Sequence, residues 1–292
     1  VQRTGAEVAI FAALKRQELM YPVLVPGNVF PEPFPEGALL AVDKPLGWSS
    51  FDVVNKLRYL LARRLGIRRL KVGHTGTLDP LATGLLVLCV GKATSLIESL
   101  QADEKEYVGT LTLGATTASF DREQPIEATY PTEHLTDALV QAAARRFVGD
   151  IEQVPPVFSA LKVKGQRLYK KARSGREVPL RARRVHIARF EVGPLRPVEG
   201  NGAGEPLVFN KKGAPIRLFA DYEHGLECDF RVVCSKGTYI RSLVADLGAA
   251  LNSGAYLSAL RRTRSGIFSL DDAWTISQLE AWIRTETPSP GT

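Results

Sequence analysis

Residues 73–80 read Gly-His-Thr-Gly-Thr-Leu-Asp-Pro, and Asp79 is the residue among them best suited to chemistry. A residue that precedes proline is driven away from helical geometry, so Asp79 is expected to stand extended on its loop. Gly73 and Gly76 allow the backbone to come close to a ligand. A carboxylate displayed in this way, just ahead of an apolar strand, can act as a nucleophile or a base. Asp-Pro can equally form a plain turn capped by the neighbouring threonines, and spacing alone favours that reading.

The loop has to be held by its neighbours. Residues 38–42 read as a short apolar strand, turned by Pro45-Leu46-Gly47. A helix follows from about Ser50, with Val53, Val54, Leu57, Leu60 and Leu61 at helical spacing and Ser49 or Ser50 as its cap. It runs out into the basic residues Arg63, Arg64, Arg68, Arg69 and Lys71. After the loop come a strand at 85–90, a helix near 93–100 and an alternating strand at 107–113. Helices are expected at 134–147, 239–251 and 275–283, the last capped by Thr275, and a strand at 227–233. Strands and helices mix without a βαβ rhythm. The expected class is therefore α+β, a mixed, mainly antiparallel central sheet flanked by helices.

Composition narrows the partners. The chain has 292 residues, 45% of them hydrophobic and 24% charged, which is ordinary for a soluble globular protein. A net charge of +7 biases it toward phosphate-rich surfaces. The longest apolar run is too short to span a bilayer, and no stretch has the order of a signal peptide. Three cysteines without metal-ligand spacing read as reduced thiols in a cytoplasmic protein. Residues 160–189 hold eleven Lys or Arg and one acid, Glu177. Phe158, Leu161, Leu168 and Tyr169 interleave with them, as an RNA groove requires. Lys162, Lys164, Arg167, Lys170 and Lys171 are the expected RNA contacts there. The plainer alternative is a solvated charged face.

Several strings, in order along the chain, carry a resemblance. GHTGTLDPLATGLL (73–86) closely resembles the catalytic loop of the bacterial tRNA pseudouridine-55 synthases, the TruB family. DKPLGWSSFDVV (43–54), KEYVGTLTLGATT (105–117), PPVFSALKVKGQRLYKKARSG (155–175), CSKGTYIRSLVADLG (234–248) and LRRTRSGIF (260–268) resemble its other motifs. The resemblance covers roughly residues 37–283. It implies an isomerase that flips a T-loop uridine of tRNA and rejoins the base to its ribose through carbon. Asp79 falls on the catalytic aspartate, Tyr107 on the tyrosine packed against the base, and Arg241 on the arginine that would keep the aspartate ionised. Tyr239 and Leu260 fall on uridine-pocket residues and His74 on a residue beside the flipped nucleotide. Arg261, Arg262 and Arg264 would extend a phosphate-facing surface. Each has a plainer alternative: a sheet-face tyrosine, a surface arginine, core residues, and a histidine capping its own backbone. The resemblance implies no cofactor, metal, membrane or protein partner, only the T-arm of tRNA.

There are departures. Asp121 resembles a family aspartate behind the active site, but Ala118 and Gln124 stand where the family has an acid and a glycine. These two differences weaken the pattern on which a supporting network around Asp121 would rest. The PUA domain of many members is not seen, and the excursion at 193–225 reads as a neutral elaboration. Residues 1–36 read as a flexible extension, and since Met20 is the only methionine, 1–19 as an artefact of the assigned start. The catalytic domain is placed at 37–285 and a disordered tail at 286–292. Two other functions compete with this reading: an RNA-folding protein whose catalysis is secondary, and a guide-RNA-dependent catalytic subunit, the latter disfavoured because such relatives rely on a PUA domain.

Overall fold

A computed structural model describes residues 19–158, 162–163, 166–167, 180–199, 208–216, 218–219 and 221–285. In chain order the elements used below are β1 (Gly37–Lys44), α1 (Ser50–Arg64), β2 (Val72–His74), β3 (Ala82–Gly91) and β4 (Lys105–Leu113). Then come α2 (Asp137–Arg145), β5 (Gly149–Gln153), β6 (Arg183–Val192), β7 (Leu226–Cys234), α3 (Ile240–Ala250), β8 (Ala255–Ser265) and α4 (Ile276–Arg284). Chain contacts group them into two compact units: residues 1–105, 209–214 and 261–292, and residues 106–208 and 215–260.

In the first unit β1 and β3 pair antiparallel without a slip, from Gly37↔Gly91 to Lys44↔Gly84. Both are almost wholly apolar because both faces of the ladder are covered. The period of two sorts the side chains. Ala38, Leu40 and Val42 pack with Val53, Val54, Leu57 and Leu61 of α1 and with Leu279, Trp282 and Ile283 of α4. Leu39, Ala41, Leu85, Val87 and Cys89 pack on the other side with Ala93, Leu100 and Phe268.

Of the two candidate caps, Ser49 caps α1, in a capping box with Asp52. Arg63 and Arg64 lie in its last turn, where cations favour the helix dipole. The expectation of a flexible lead-in fails for residues 21–36. Val23 and Leu24 pair in parallel with Leu39 and Leu40, Trp274 Nε1 donates to the Leu24 carbonyl (2.8 Å), and Phe30 is buried. Apolar residues between the prolines supply the anchors.

In the second unit β4, β7, β6 and β5 lie side by side in that order. β6 pairs antiparallel with β5, from Arg183↔Gln153 to Ile187↔Gly149, and with β7 across a bulge between Ile187 and Arg189. β6 occupies the end of the segment read as basic. Val185, Ile187, Phe190 and Val192 face inward, while Arg184 pairs with Asp150 at 2.7 Å. α2, capped by Thr136, packs on β6. The mixed, mainly antiparallel sheet with helices is the class expected. Among the described residues no helix is long and apolar enough to cross a membrane.

Candidate active site

The Asp79 loop is built inside the first unit. β2 pairs with β3 and delivers His74, after which the Thr75 N–H donates to the Val87 carbonyl (3.0 Å). Leu78 is buried, and the Ser50 hydroxyl clasps its backbone, accepting from its N–H (2.8 Å) and donating to its carbonyl (3.0 Å). Ser50, the serine that does not cap α1, thus fixes the loop to the start of that helix. Pro80 is held from the other side, its carbonyl accepting from Gly47 N–H (2.9 Å) and Lys44 Nζ (3.4 Å). Asp79, between these anchors, is half-buried.

Lys44 was not singled out from the sequence. Its side chain is fully buried, and Nζ also donates to the carbonyls of Pro45 (2.9 Å) and Trp48 (2.6 Å). Burial pushes its pKa down from 10.5 to about 7, with the Asp79 carboxylate pulling the other way. One ammonium therefore ties together the two loops 45–48 and 78–80. The only sequence signal was a charged residue at the end of a largely apolar strand.

Arg262 requires a correction. Expected as a phosphate contact, it is 2% exposed. Its Nε donates to the Leu85 carbonyl (2.7 Å) and its Nη2 to the Gly76 carbonyl (3.0 Å). The guanidinium braces the Asp79 loop against β3. Gly84, at φ +98°, permits this approach, since a Cβ there would lie 2.3 Å from the Arg262 carbonyl oxygen. Arg261 is half-buried and paired with Asp43 at 2.7 Å, and Arg264 with Glu104 at 2.7 Å.

His74 Nδ1 accepts from the Gly76 N–H (3.3 Å), as in the plainer reading, which places the proton of the neutral ring on Nε2. Burial first, then the Arg262 charge, hold its pKa below the usual 6.5. The folded ring thus resists a proton that the unfolded ring accepts. Stability is kept above pH 6.5 and lost as pH falls from there through the folded value. The urea midpoint of the wild type is expected to fall more between pH 7 and 5.5 than that of His74→Gln; equal slopes would remove His74 from this role.

In the second unit the start of α3 carries Tyr239 and Arg241. Tyr239 is its N-cap, and the buried Gln153 side chain clasps it, accepting from its N–H (2.8 Å) and donating to its carbonyl (3.0 Å). Arg183 stacks over the Tyr239 ring at 5.5 Å. Gln153 is another residue the sequence did not reveal. Arg241 is no surface arginine: it is 4% exposed, donating to the carbonyls of Ser119 (3.1 Å) and Phe158 (2.8 Å).

Asp121 lies 3.5 Å from Arg241 and accepts from the Ser119 hydroxyl and the Glu123 N–H. The network doubted from the sequence is present. Burial pushes the Asp121 pKa up, and Arg241 pulls it down. Ser242 donates to the Val154 carbonyl (2.8 Å), so the first turn of α3 is stitched to residues 153–158, which lead into the basic segment. Tyr107 is buried on β4 and Leu260 half-buried on β8. Lys162 and Arg167 are backbone register partners in a short antiparallel ladder. Lys164, Lys170 and Lys171 lie outside the described residues, as does the tail at 286–292.

Known proteins resemble the chain along most of its length. Residues 63–200 match the TruB family pseudouridylate synthase (N terminal domain), and residues 241–290 the tRNA pseudouridylate synthase B C-terminal domain. The tRNA pseudouridine synthase B of Phocaeicola vulgatus is 49% identical over 255 residues, covering 86% of this chain and 94% of that protein. That of Flavobacterium johnsoniae is 45% identical, covering 86% and 97%. Among solved structures, a Cbf5-Nop10-Gar1 complex matches with TM-score 0.54 and 28% identity, over 85% of this chain. An H/ACA RNP bound to a substrate RNA containing 2'-deoxyuridine matches with TM-score 0.51 and 26% identity, over 83%. The chain spans 56% and 51% of those two chains. With such identity to its bacterial relatives over nearly their full length, the chain belongs to the TruB family of pseudouridylate synthases.

Proposed function

We propose that the protein converts the uridine at position 55, in the T loop of tRNA, to pseudouridine, with Asp79 as the catalytic carboxylate. The observation that carries this is the loop itself: a half-buried aspartate whose two neighbours are fixed through their backbones by Ser50, Gly47 and Lys44. Such anchoring suits a group that must meet one atom of a substrate in one geometry. The relatives named tRNA pseudouridine synthase B supply the substrate class.

The reaction breaks the bond from C1′ to N1, turns the uracil, joins C1′ to C5 and removes the C5 proton, which is replaced at N1. No atom is gained or lost. Asp79 can start it by attacking C1′, by adding to C6 or by taking a proton from C2′, and each route begins from an ionised carboxylate. Tyr107, Tyr239 and Leu260 are assigned to the flipped uracil and Arg241 to the catalytic charge. Lys162, Lys164, Arg167, Lys170, Lys171 and the solvent-reaching part of Arg261 are assigned to the RNA. Stacking on a tyrosine contributes about 1–3 kcal/mol per base, which offsets part of the cost of unstacking it. The enzyme acts in the cytoplasm on tRNA alone, without guide RNA, protein partner or metal.

Mapping pseudouridine in total tRNA from cells with and without this gene tests the reading. Loss at position 55, with other sites intact, is expected. Retention of pseudouridine there in the deletion strain would overturn it.

A further inference from the structure

The excursion at 193–225 reads from sequence as neutral, but its residues 209–214, which belong to the first unit, have a definite geometry. Asn210 closes a tight turn. Its Oδ1 accepts from the N–H groups of Lys212 (2.8 Å) and Ala214 (3.1 Å), its own N–H donates to the Ala214 carbonyl (2.8 Å), and its carbonyl accepts from Gly213 N–H (2.9 Å). Gly213 supplies the left-handed residue, at φ +76°. The turn presents two adjacent lysines.

Lys211 seats the turn on the first motif. Its Nζ donates to the Asp52 carbonyl (3.3 Å) and lies 5.7 Å from the centre of the Trp48 ring. The Asp52 carboxylate is already engaged by the N–H (3.0 Å) and hydroxyl (2.6 Å) of Ser49. Lys211 therefore meets a carbonyl and a ring face, neither of which cancels its charge. Among the described residues neither Lys211 nor Lys212 enters an ion pair. Both are exposed, as are Phe209 (48%) and, on the first turn of α1, Phe51 (61%). Trp48 in turn shares Lys44 with Pro80, so the turn stands close to the Asp79 loop.

Uncancelled lysines beside exposed aromatic rings match the chemistry of a nucleic-acid backbone and its bases. A protein partner fits less well, since lysines are depleted from such interfaces. We infer that the turn at 209–214 is a second grip on the substrate RNA, with Lys211 and Lys212 taking backbone phosphates beside the Asp79 loop. This rests on the RNA substrate proposed above.

The test is the affinity of the full-length protein for a T-arm stem-loop across a salt series, with Lys211→Ala, Lys212→Ala and the double variant. The double variant is expected to weaken binding about tenfold, and its log Kd against log salt to lose a slope of about 1.5. Its kcat/KM falls in step, and arginine at both positions restores the affinity. Unchanged Kd and slope would overturn the inference, as would a weaker Kd at unchanged slope. Lys212→Ala guards against misfolding of the Lys211 variant, because Lys212 contributes only its backbone to the turn. A wild type that binds the RNA but converts no uridine would sink the proposed function while leaving this comparison readable.

Discussion

Replacing Arg262 with alanine is expected to destabilise the fold by about 2–5 kcal/mol and to take most of the activity with it. The substitution leaves the carbonyls of Gly76 and Leu85 without their donor. Each buried group so abandoned costs about 1–3 kcal/mol, and the vacated volume adds to that. The Gly76 carbonyl belongs to the loop that carries Asp79, so the damage is not confined to stability. Arg262→Lys should recover only part of the loss, because a single ammonium cannot reproduce a planar fork aimed at two carbonyls. Urea unfolding and RNA affinity separate this from the role first expected of the residue. A phosphate contact would leave the urea midpoint unchanged and weaken RNA binding; a loop brace lowers the midpoint.

Arg262 also shows where sequence reading stops. The string Leu-Arg-Arg-Thr-Arg carries charge on both faces of β8, and arginines are by default assigned to water. Only the approach of β8 to Gly84 and the loop reveals that two carbonyls need a donor there. Lys44 and Gln153 were missed for the same reason. Each is a polar side chain with a backbone partner far along the chain, Pro80 for one and Tyr239 for the other. By contrast, α1 and α4 were legible because their signals are local: a capping residue, its box partner three residues on, and apolar positions at helical spacing. β6 escaped notice because its inward Val185, Ile187 and Phe190 are interspersed with Arg184, His186 and Arg189, which read as one more stretch of basic charge. The Asp79 loop was found through a string of residues long enough to resemble a family, whereas its spacing alone pointed to an ordinary turn.

Asp79→Asn is the second large effect. Asparagine preserves the shape of the side chain, and the loop's anchors at Leu78 and Pro80 are backbone bonds made by Ser50, Gly47 and Lys44. The loop should therefore persist, and with it the RNA-binding surface. What is lost is the negative charge, without which the side chain can neither attack C1′ or C6 nor take a proton from C2′. Removing a group of this kind typically lowers turnover by several orders of magnitude, so a fall of at least about a thousandfold is expected.

Single-turnover conversion of a T-arm stem-loop, with RNA affinity measured on the same protein, puts Asp79 to the most direct test. The asparagine variant should bind within about threefold of wild type and convert at least about a thousandfold more slowly. Turnover within about tenfold of wild type would mean that the reaction does not run through this carboxylate.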